Sequence, residues 1–489
     1  MIDAENLRSK TIRNLFVVYS FKVLWMGINF VRSIIIARLL FPEDFAIIAL
    51  AYSFIYLIEQ MFTFGFSKVL IHKKTLSSDE LNTAFTLNCI QNVLFYGIMY
   101  LGAPFVARFY GNADLILVIR LLGIELLLQI LGFIPRVMLQ KSLQFKIVES
   151  VTFFTSLLST IITVGCAFLG LSFWSIIIGT LVGKFTQSIV YLYYSKLEAR
   201  LYLVKSIVKQ YFKFGIVIYV TAIVTYLNSS LDTMMIGKIS GMVVLGYYAV
   251  ARQWGRYFLD NLFVYITQVL FPTYAQIQDN IGRMSLAFTK TIKYTIPVIM
   301  PFFVGFYLIA PDFVRVLLGA KWLPVIVPLR VMLIAMLFDS LGQMFGPVSD
   351  AVGKFQIKLK LSVITLLLMA TIFPVLGVMK GLNGFCLAIC IVKGIGLIYA
   401  YKEICIKILN IKFSSLVLLI RSPLISTLSM IIAICLFQFF LCKYIVSDYS
   451  QLFLVIITGV ITYLTTLLVI DNKIFIDVKD IVLESIRKK

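Results

Sequence analysis

The sequence predicts an all-α, polytopic membrane protein with fourteen transmembrane helices and two related halves. Hydrophobic residues make up 61% of its 489 residues, and the mean hydropathy is +0.98, far above the range of water-soluble domains. The apolar stretches are long enough to cross a bilayer, which takes about 20 residues. An internal repeat relates the first half of the chain to the second, and few residues remain for a separate soluble domain.

The predicted spans follow one another through short connections. They lie near residues 15–38, 45–66, 83–107, 114–136, 147–169, 173–194, 214–237, 244–270, 292–311, 323–349, 361–379, 381–401, 415–441 and 451–470. The lysine-rich connection 195–213 is the predicted linker between the halves. We therefore expect one lobe at 1–204 (spans 1–6), a second at 205–403 (spans 7–12), and spans 13 and 14 with a tail at 404–489.

Basic residues predict the orientation. Of 44 Lys and Arg, 28 lie in the N-terminus, the even-numbered loops and the tail, whereas seven lie in the odd-numbered loops and nine within spans. Positive loops face the cytoplasm, so both termini are predicted to be cytoplasmic, with anionic lipids rather than nucleic acid as partners. In the tail, helical spacing of apolar residues predicts a short interfacial helix: Ile474, Val478, Ile481, Val482 and Ile486.

The repeat is visible at an offset of 200 residues. Ile34–Ala51 aligns without a gap over Met234–Ala251, and the two spans of the second copy are predicted to hinge on a loop at 238–244. In this register Arg32 falls opposite Asp232, so the two are expected to lie at similar depth and to be able to pair. Internal repeats are typical of secondary transporters, which place their sites between the repeats.

Polar residues form a stripe on each of two repeat-equivalent spans. The stripe of span 1 contains Lys22, Asn29, Arg32 and Ser33, and that of span 7 contains Thr221, Thr225, Asn228, Ser229 and Asp232. Hydrogen bonding within a dry bundle is one reading. The charges favour a second reading, a water-filled cavity between the lobes.

Span 8 adds Arg252, Arg256 and Asp260 on one helical face. Arg256 and Asp260 could neutralise each other, which leaves Arg252 as the stronger substrate ligand. Glu59 lies at the equivalent depth of span 2. The carboxylates Glu59, Asp232 and Asp260 either bind a coupling Na⁺ or H⁺ or pair with nearby basic residues, and the sequence does not choose between these roles.

Other charges inside spans are assigned no part in the site. They are Arg120, Glu125, Lys184, Arg330, Asp339, Lys393 and Arg421. Lys184 and Lys393 are expected to be structural more often than functional, because long side chains snorkel or pair locally. The cysteines lack metal-ligand spacing and the lone histidine, His72, lies in a loop, so no catalytic residue and no metal site are predicted.

Several motifs resemble the polysaccharide transport branch of the multidrug/oligosaccharidyl-lipid/polysaccharide exporter (MOP) superfamily, the Wzx-type flippases. The motifs are ARLLFPEDFA (Ala37–Ala46), GFSKVLIHKK (Gly65–Lys74), LDTMMIGKISG followed by LGYYAVA (Leu231–Ala251), VLFPTYAQIQ (Val269–Gln278), LLGAKW (Leu317–Trp322) and AVGK (Ala351–Lys354). Their order and spacing cover nearly the whole chain. Phe41 and Ala46 stand where the family usually has glycines.

The resemblance implies a V-shaped, MATE-like bundle of two six-helix lobes plus two helices. It implies a flippase of the bacterial inner membrane that moves undecaprenyl-pyrophosphate-linked oligosaccharides outward by alternating access, for O-antigen or exopolysaccharide synthesis. A polysaccharide polymerase and a chain-length regulator are candidate partners. Lys22, Arg32, Arg252 and Arg256 would then bind phosphate or acidic sugars, beside Asn29, Asn228 and Ser229.

Two other classes compete with the flippase. A multidrug cation antiporter of the same superfamily fits poorly with fourteen spans and a cationic cavity. A membrane glycosyltransferase or polysaccharide polymerase needs a sizeable outward loop, whereas the longest predicted outward loops, near 312–322 and 442–450, are short. A non-transporting scaffold would not need paired polar stripes.

Overall fold

The computed structural model describes residues 4–61, 70, 76–195, 199–440, 447–473 and 476–477. Side chains are described within these ranges from residue 21 onward, except at 60–61, 209–225, 262 and 264–269. Every regular element of the described ranges is a helix, which confirms the all-α prediction. Most of the predicted tail helix, all of the GFSKVLIHKK motif except Leu70, and the side chains of Thr221 and Thr225 lie outside the described residues.

The chain forms two compact units, Met1–Ala249 and Val250–Lys489. The helices of the first unit are α1 (Ala4–Leu39), α2 (Pro42–Met61), α3 (Ser78–Tyr110), α4 (Asp114–Lys141), α5 (Phe145–Phe168), α6 (Trp174–Tyr194) and most of α7 (Lys205–Phe258). The boundary between the units thus falls within α7, and the lobes predicted at 1–204 and 205–403 stay a prediction.

The second unit contains the end of α7 and the remaining helices. These are α8 (Val264–Ala275), α9 (Ile281–Asp312), α10 (Ile326–Gln343), α11 (Gly346–Ala351), α12 (Phe355–Ala400), α13 (Phe413–Phe440) and α14 (Asp448–Ile470). Three π-helical segments (Leu259–Phe263, Phe313–Leu318 and Tyr401–Ile406) and one 3₁₀ segment (Ala320–Val325) extend helix ends.

Ten helices among the described residues are long and apolar enough to cross a membrane, which confirms a polytopic membrane protein. Two of them, Tyr226–Asn261 and Phe355–Ile406, have 36 and 52 residues, more than the 20 or so that one crossing takes. Each is broken by a glycine with non-helical dihedral angles, Gly241 and Gly381. The predicted loop at 238–244 is therefore wrong in extent. Helix continues on both sides of Gly241, whose positive φ of 82° a residue without a Cβ adopts easily.

Backbone breaks recur at repeat-equivalent places. Gly241 corresponds, at the offset of 200, to Phe41, which lies between α1 and α2. Later in the chain, residues with positive φ follow one another at matching points of the two halves: Gly111 and Gly319, Leu143 and Gly353, and Gly170 and Gly381. The repeat seen in the sequence is thus also a repeat of backbone conformation.

The α1–α2 connection is fixed by the acidic residue of the PEDFA motif. Asp44 is buried, accepts a hydrogen bond of 2.7 Å from the backbone N–H of Phe41, and accepts another from the Ser172 hydroxyl. Gly246 of α7 packs against the start of α2, where a Cβ atom would lie 1.9 Å from the carbonyl oxygen of Pro42. Only glycine permits this approach.

The residues after α14 are tied to α9. The Asp477 carboxylate accepts hydrogen bonds from the Lys293 ammonium at 3.1 Å and from the Tyr294 hydroxyl at 2.8 Å. These two donors lower the pKa of Asp477, because they stabilise its ionised form. Asp471 accepts a further hydrogen bond of 3.2 Å from Ser422 of α13.

Gly246→Ala is expected to destabilise the protein by about 1–3 kcal/mol, because the new methyl group overlaps the Pro42 backbone. The matched control is Gly97→Ala in α3, where a Cβ would meet nothing within 4 Å. That change should be neutral or slightly stabilising, since alanine is the better helix former. Apparent melting temperatures in detergent measure both effects. A Gly246→Ala protein as stable as the Gly97→Ala protein would contradict this packing.

Asp477 should hold the tail at neutral pH and release it in acid. Because its pKa is lowered in the fold, the contact is fully present above the ordinary Asp value and is lost as pH falls through the lowered value. Asp477→Asn should mimic the acid state at neutral pH. Hydrogen exchange of residues 471–477 reports the release, with exposed Asp279→Asn as control. Equal protection in both variants would show that the contact does not hold the tail.

Candidate functional site

An ion pair joins α4 to α6 in the first unit. Lys184 Nζ lies 3.1 Å from Glu125 Oε1, and Glu125 is only 9% exposed. The second carboxylate oxygen, Oε2, is buried, and no described residue forms a hydrogen bond with it. Small residues bring the helices close enough for this pair: Gly132 of α4 packs on Ser188 of α6, whose hydroxyl donates to the Leu128 carbonyl at 2.6 Å.

α1 and α2 contribute further polar groups to the same place. Glu59 of α2 is hydrogen-bonded by Gln129 and interacts electrostatically with both Glu125 and Lys184. One and two turns earlier, Tyr56 and Tyr52 stack at 5.6 Å, and Tyr52 interacts with Glu125 and with Arg32 of α1. We call Arg32, Glu59, Glu125 and Lys184 the first charge cluster.

The second unit carries a corresponding group. Lys393 of α12 donates to Asp339 Oδ1 of α10 at 2.7 Å, and Gln343 donates to Oδ2 at 3.0 Å. Arg256 also interacts electrostatically with Asp339, and it forms an ion pair of 2.9 Å with Asp260. Arg256, Asp260, Asp339 and Lys393 are the second charge cluster. Here both oxygens of the central carboxylate have hydrogen-bond donors.

The two clusters occupy repeat-equivalent helices. Predicted spans 4 and 6 supply Glu125 and Lys184, and spans 10 and 12 supply Asp339 and Lys393. A second pair of contacts repeats beside them. Arg120 lies 4.0 Å above the Tyr100 ring and donates to the Tyr100 carbonyl at 3.2 Å; Arg330 lies 5.1 Å above the Tyr307 ring and donates to the Tyr307 carbonyl at 3.1 Å. The repeat thus preserves side-chain contacts between helices as well as the positions of the backbone breaks.

The predicted site residues fall into three groups. Arg32 and Glu59 meet in the first cluster, and Arg256 and Asp260 pair in the second, as one of the two readings of span 8 expected. Lys22, Asn29, Asn228 and Arg252 are half-buried, whereas Ser229 is exposed and donates to the Tyr226 carbonyl at 2.9 Å.

Asp232 differs from these residues, because it is buried. It is 5% exposed and accepts hydrogen bonds from the Tyr248 hydroxyl and from the Thr233 backbone N–H, the latter at 2.7 Å. Hydroxyl and amide donors can stabilise a buried carboxylate without a cation. The predicted pairing of Asp232 with Arg32 stays a prediction.

Glu125, Lys184, Asp339 and Lys393 are the residues that the sequence left outside the site. The repeat contained a signal for them. Spans 4 and 6, which carry Glu125 and Lys184, are the repeat partners of spans 10 and 12, which carry Asp339 and Lys393. The ungapped offset of 200 does not superimpose them, so a gapped repeat alignment would have been required. Among the described residues, no group of three or more His, Cys, Asp or Glu side chains could hold a metal ion.

Asp339 and Lys393 should be energetically coupled. Removing either one leaves a charge without its partner, so each of Asp339→Ala and Lys393→Ala should cost about 1.5–3 kcal/mol, the worth of a charge-assisted hydrogen bond. The double variant should cost clearly less than the sum. Melting temperatures of the four proteins give the coupling, and strictly additive losses would refute it.

Known proteins match most of this chain. The profile of a family described as "Polysaccharide biosynthesis protein" matches residues 35–327. The lipopolysaccharide biosynthesis protein WzxC of Escherichia coli (strain K12) is 26% identical over 402 residues, which is 81% of each chain.

Two solved structures share the fold. The lipid II flippase MurJ in an inward closed conformation matches with a TM-score of 0.73 and 14% identity, over 95% of this chain and 100% of that one. An inward-facing multidrug resistance MATE family transporter of the MOP superfamily matches with a TM-score of 0.63 and 15% identity, over 82% and 98%. The chain therefore belongs to the polysaccharide biosynthesis protein family, and it has the MOP fold of these two transporters.

Proposed function

We propose that this protein is a flippase of the bacterial inner membrane. It moves undecaprenyl-pyrophosphate-linked oligosaccharides from the cytoplasmic to the outer leaflet by alternating access, for surface polysaccharide synthesis. The observation that carries the proposal is the presence of basic side chains at membrane depth in a member of this family. A charge at that depth is costly, so it persists where it serves a substrate path or a partner.

Three of these cations are the proposed substrate ligands. Lys22 and Arg32 lie on α1 and Arg252 lies on α7, and all three are half-buried. Arginine and lysine form short, strong hydrogen bonds to phosphate oxygens, which suits a pyrophosphate or acidic sugars. Arg256 is the weaker candidate, because Asp260 already engages its guanidinium.

Polar residues on the same two helices, α1 and α7, complete the proposed substrate path. Asn29, Asn228 and Ser229 offer neutral donors and acceptors for sugar hydroxyls. The lipid tail remains in the hydrocarbon while the head group crosses. A polysaccharide polymerase and a chain-length regulator would receive the product on the outer side.

The proposed topology has fourteen spans and both termini in the cytoplasm. Ten candidate spans are described, and two of them, Tyr226–Asn261 and Phe355–Ile406, are each broken at a glycine, which gives twelve crossings. Helices α1 and α2 bring the proposed number to fourteen. The excess of Lys and Arg in the even-numbered loops supports the orientation.

Arg32→Ala and Arg252→Ala are expected to lower surface polymer about tenfold or more. The reason is the loss of about 1.5–3 kcal/mol of charge-assisted hydrogen bonding to phosphate. Arg421→Ala is the matched control, because Arg421 is an exposed cation of α13, outside the proposed path. The assay is complementation in cells whose surface polysaccharide depends on this protein, with protein levels checked by blot.

Lipid-linked units should accumulate on the cytoplasmic side in the Arg32 and Arg252 variants only. Normal polymer from both, at normal protein levels, would eliminate the phosphate-binding role of these cations. Unaltered polymer combined with drug sensitivity on deletion of the gene would favour the multidrug exporter of the same superfamily.

A further inference from the structure

Arg120 and Arg330 occupy equivalent positions in the two halves and make the same two contacts. Each guanidinium lies above the ring of a tyrosine on the preceding long helix, and each donates Nε–H to the carbonyl of that tyrosine, at 3.2 Å and 3.1 Å. Three residues before each arginine stands an exposed apolar residue, Leu117 (54% exposed) or Val327 (51%). A guanidinium has five N–H donors, and among the described residues no acceptor meets the other four of either arginine.

The two arginines differ in what balances their charge. Asp312, the last residue of α9, interacts electrostatically with Arg330. In the register that pairs the two tyrosines, the first half has Phe105 at this place, and its side chain is 74% exposed. No described acid forms an ion pair with Arg120. The second half therefore supplies an anion to its arginine, and the described part of the first half does not.

Arg120 stands close to the membrane boundary. α4 has 28 residues and is therefore about 42 Å long, whereas the hydrocarbon core is about 30 Å thick. Arg120 is the seventh residue of the helix, about 9 Å from its start, so its long side chain can extend to the level of the headgroups. The exposed residues beside it are apolar: Leu117 of the same helix, and Leu101 and Phe105 of α3. This face therefore contacts lipid rather than an aqueous path.

We propose that Arg120 binds the phosphate of an anionic phospholipid at the end of the α3–α4 hairpin. The Tyr100 ring and carbonyl hold the guanidinium in place, and its remaining N–H donors match the oxygens of one phosphate group. A lipid fits better than a free anion, because its acyl chains cover the apolar residues beside the arginine. An anionic headgroup fits better than a zwitterionic one, because it supplies the charge that Asp312 supplies to Arg330.

Other groups at this end of α3 add positive charge. Arg108 in its last turn is exposed, and exposed Lys238 of α7 donates to the Phe109 carbonyl at 2.8 Å, with its ammonium 4.2 Å from the centre of the Phe109 ring. Asp114, the acid at the start of α4, is about a third of a turn around the helix from Arg120. The proposed topology places the headgroup in the outer leaflet. The site itself depends neither on that topology nor on the proposed transport function.

Native mass spectrometry of the purified, delipidated full chain measures the site by titration with dioleoyl phosphatidylglycerol in detergent. Arg120→Gln should weaken the tightest binding step about tenfold, because a charge-assisted contact to phosphate is lost. Arg330→Gln is the matched control and should bind as the parent does, since Asp312 already balances that arginine. Phe105→Asp places a carboxylate where the second half has Asp312, and it should weaken binding about as much as Arg120→Gln. Dioleoyl phosphatidylethanolamine should bind the parent more weakly and should not distinguish the variants.

Each outcome decides the proposal. Parent-like binding of phosphatidylglycerol by both Arg120→Gln and Phe105→Asp would overturn it. An equal loss in Arg330→Gln would do the same, because it would show a general effect of positive charge. Equal binding of the two lipids would refute the anionic headgroup, and displacement of phosphatidylglycerol by an equal concentration of inorganic phosphate would assign the arginine to a free anion instead. Size-exclusion profiles identify misfolded variants, and Phe105→Asp, a change at an exposed side chain, is decisive if Arg120→Gln does not fold.

Discussion

The cost of charge at membrane depth is the constraint on which the rest of this structure depends. An ionised side chain in hydrocarbon must find a partner within the bundle, and such a partner on another helix fixes which helices are neighbours. Lys184 and Glu125 do this for α6 and α4, and Lys393 and Asp339 do it for α12 and α10. Glycine and serine along the same helices remove the bulk that would keep the partners apart.

The repeat explains why these solutions occur twice. A duplicated helical bundle inherits its backbone breaks and its contacts together, and the positive φ angles at Gly111 and Gly319 and at Gly170 and Gly381 follow this rule. The arginine that lies over a tyrosine ring is inherited as well, as Arg120 with Tyr100 and Arg330 with Tyr307. Each contact gives a guanidinium within a span both a carbonyl acceptor and an aromatic face, which hydrocarbon cannot supply.

The sequence predicts the fold class well because long apolar runs and short basic loops are strong, local signals. It also locates the break at 41 and 241, because the first two spans of each half align without a gap. It does not predict the charge clusters. Beyond the first two spans of each half, the offset of 200 residues no longer aligns equivalent positions. The face of a helix on which a charge lies also does not determine which acid on another helix contacts which base. Asp232 shows the same limit. Its donor, Tyr248, is an apolar-looking residue of the next span, and only the packed structure reveals that its hydroxyl reaches the carboxylate.

The difference between the two clusters follows from how many donors each carboxylate has. Where both oxygens of Asp339 are bonded, any change in protonation would break a hydrogen bond, so that cluster acts as a fixed brace between α10 and α12. Among the described residues, Glu125 has a donor for only one of its oxygens, so this carboxylate is held by fewer hydrogen bonds than Asp339. Arg32 and Glu59 connect the first cluster to α1 and α2, and α1 also carries the other proposed phosphate ligand of the first unit, Lys22. Duplication thus gives two charge clusters on repeat-equivalent helices, and they differ in how many hydrogen bonds hold the central carboxylate.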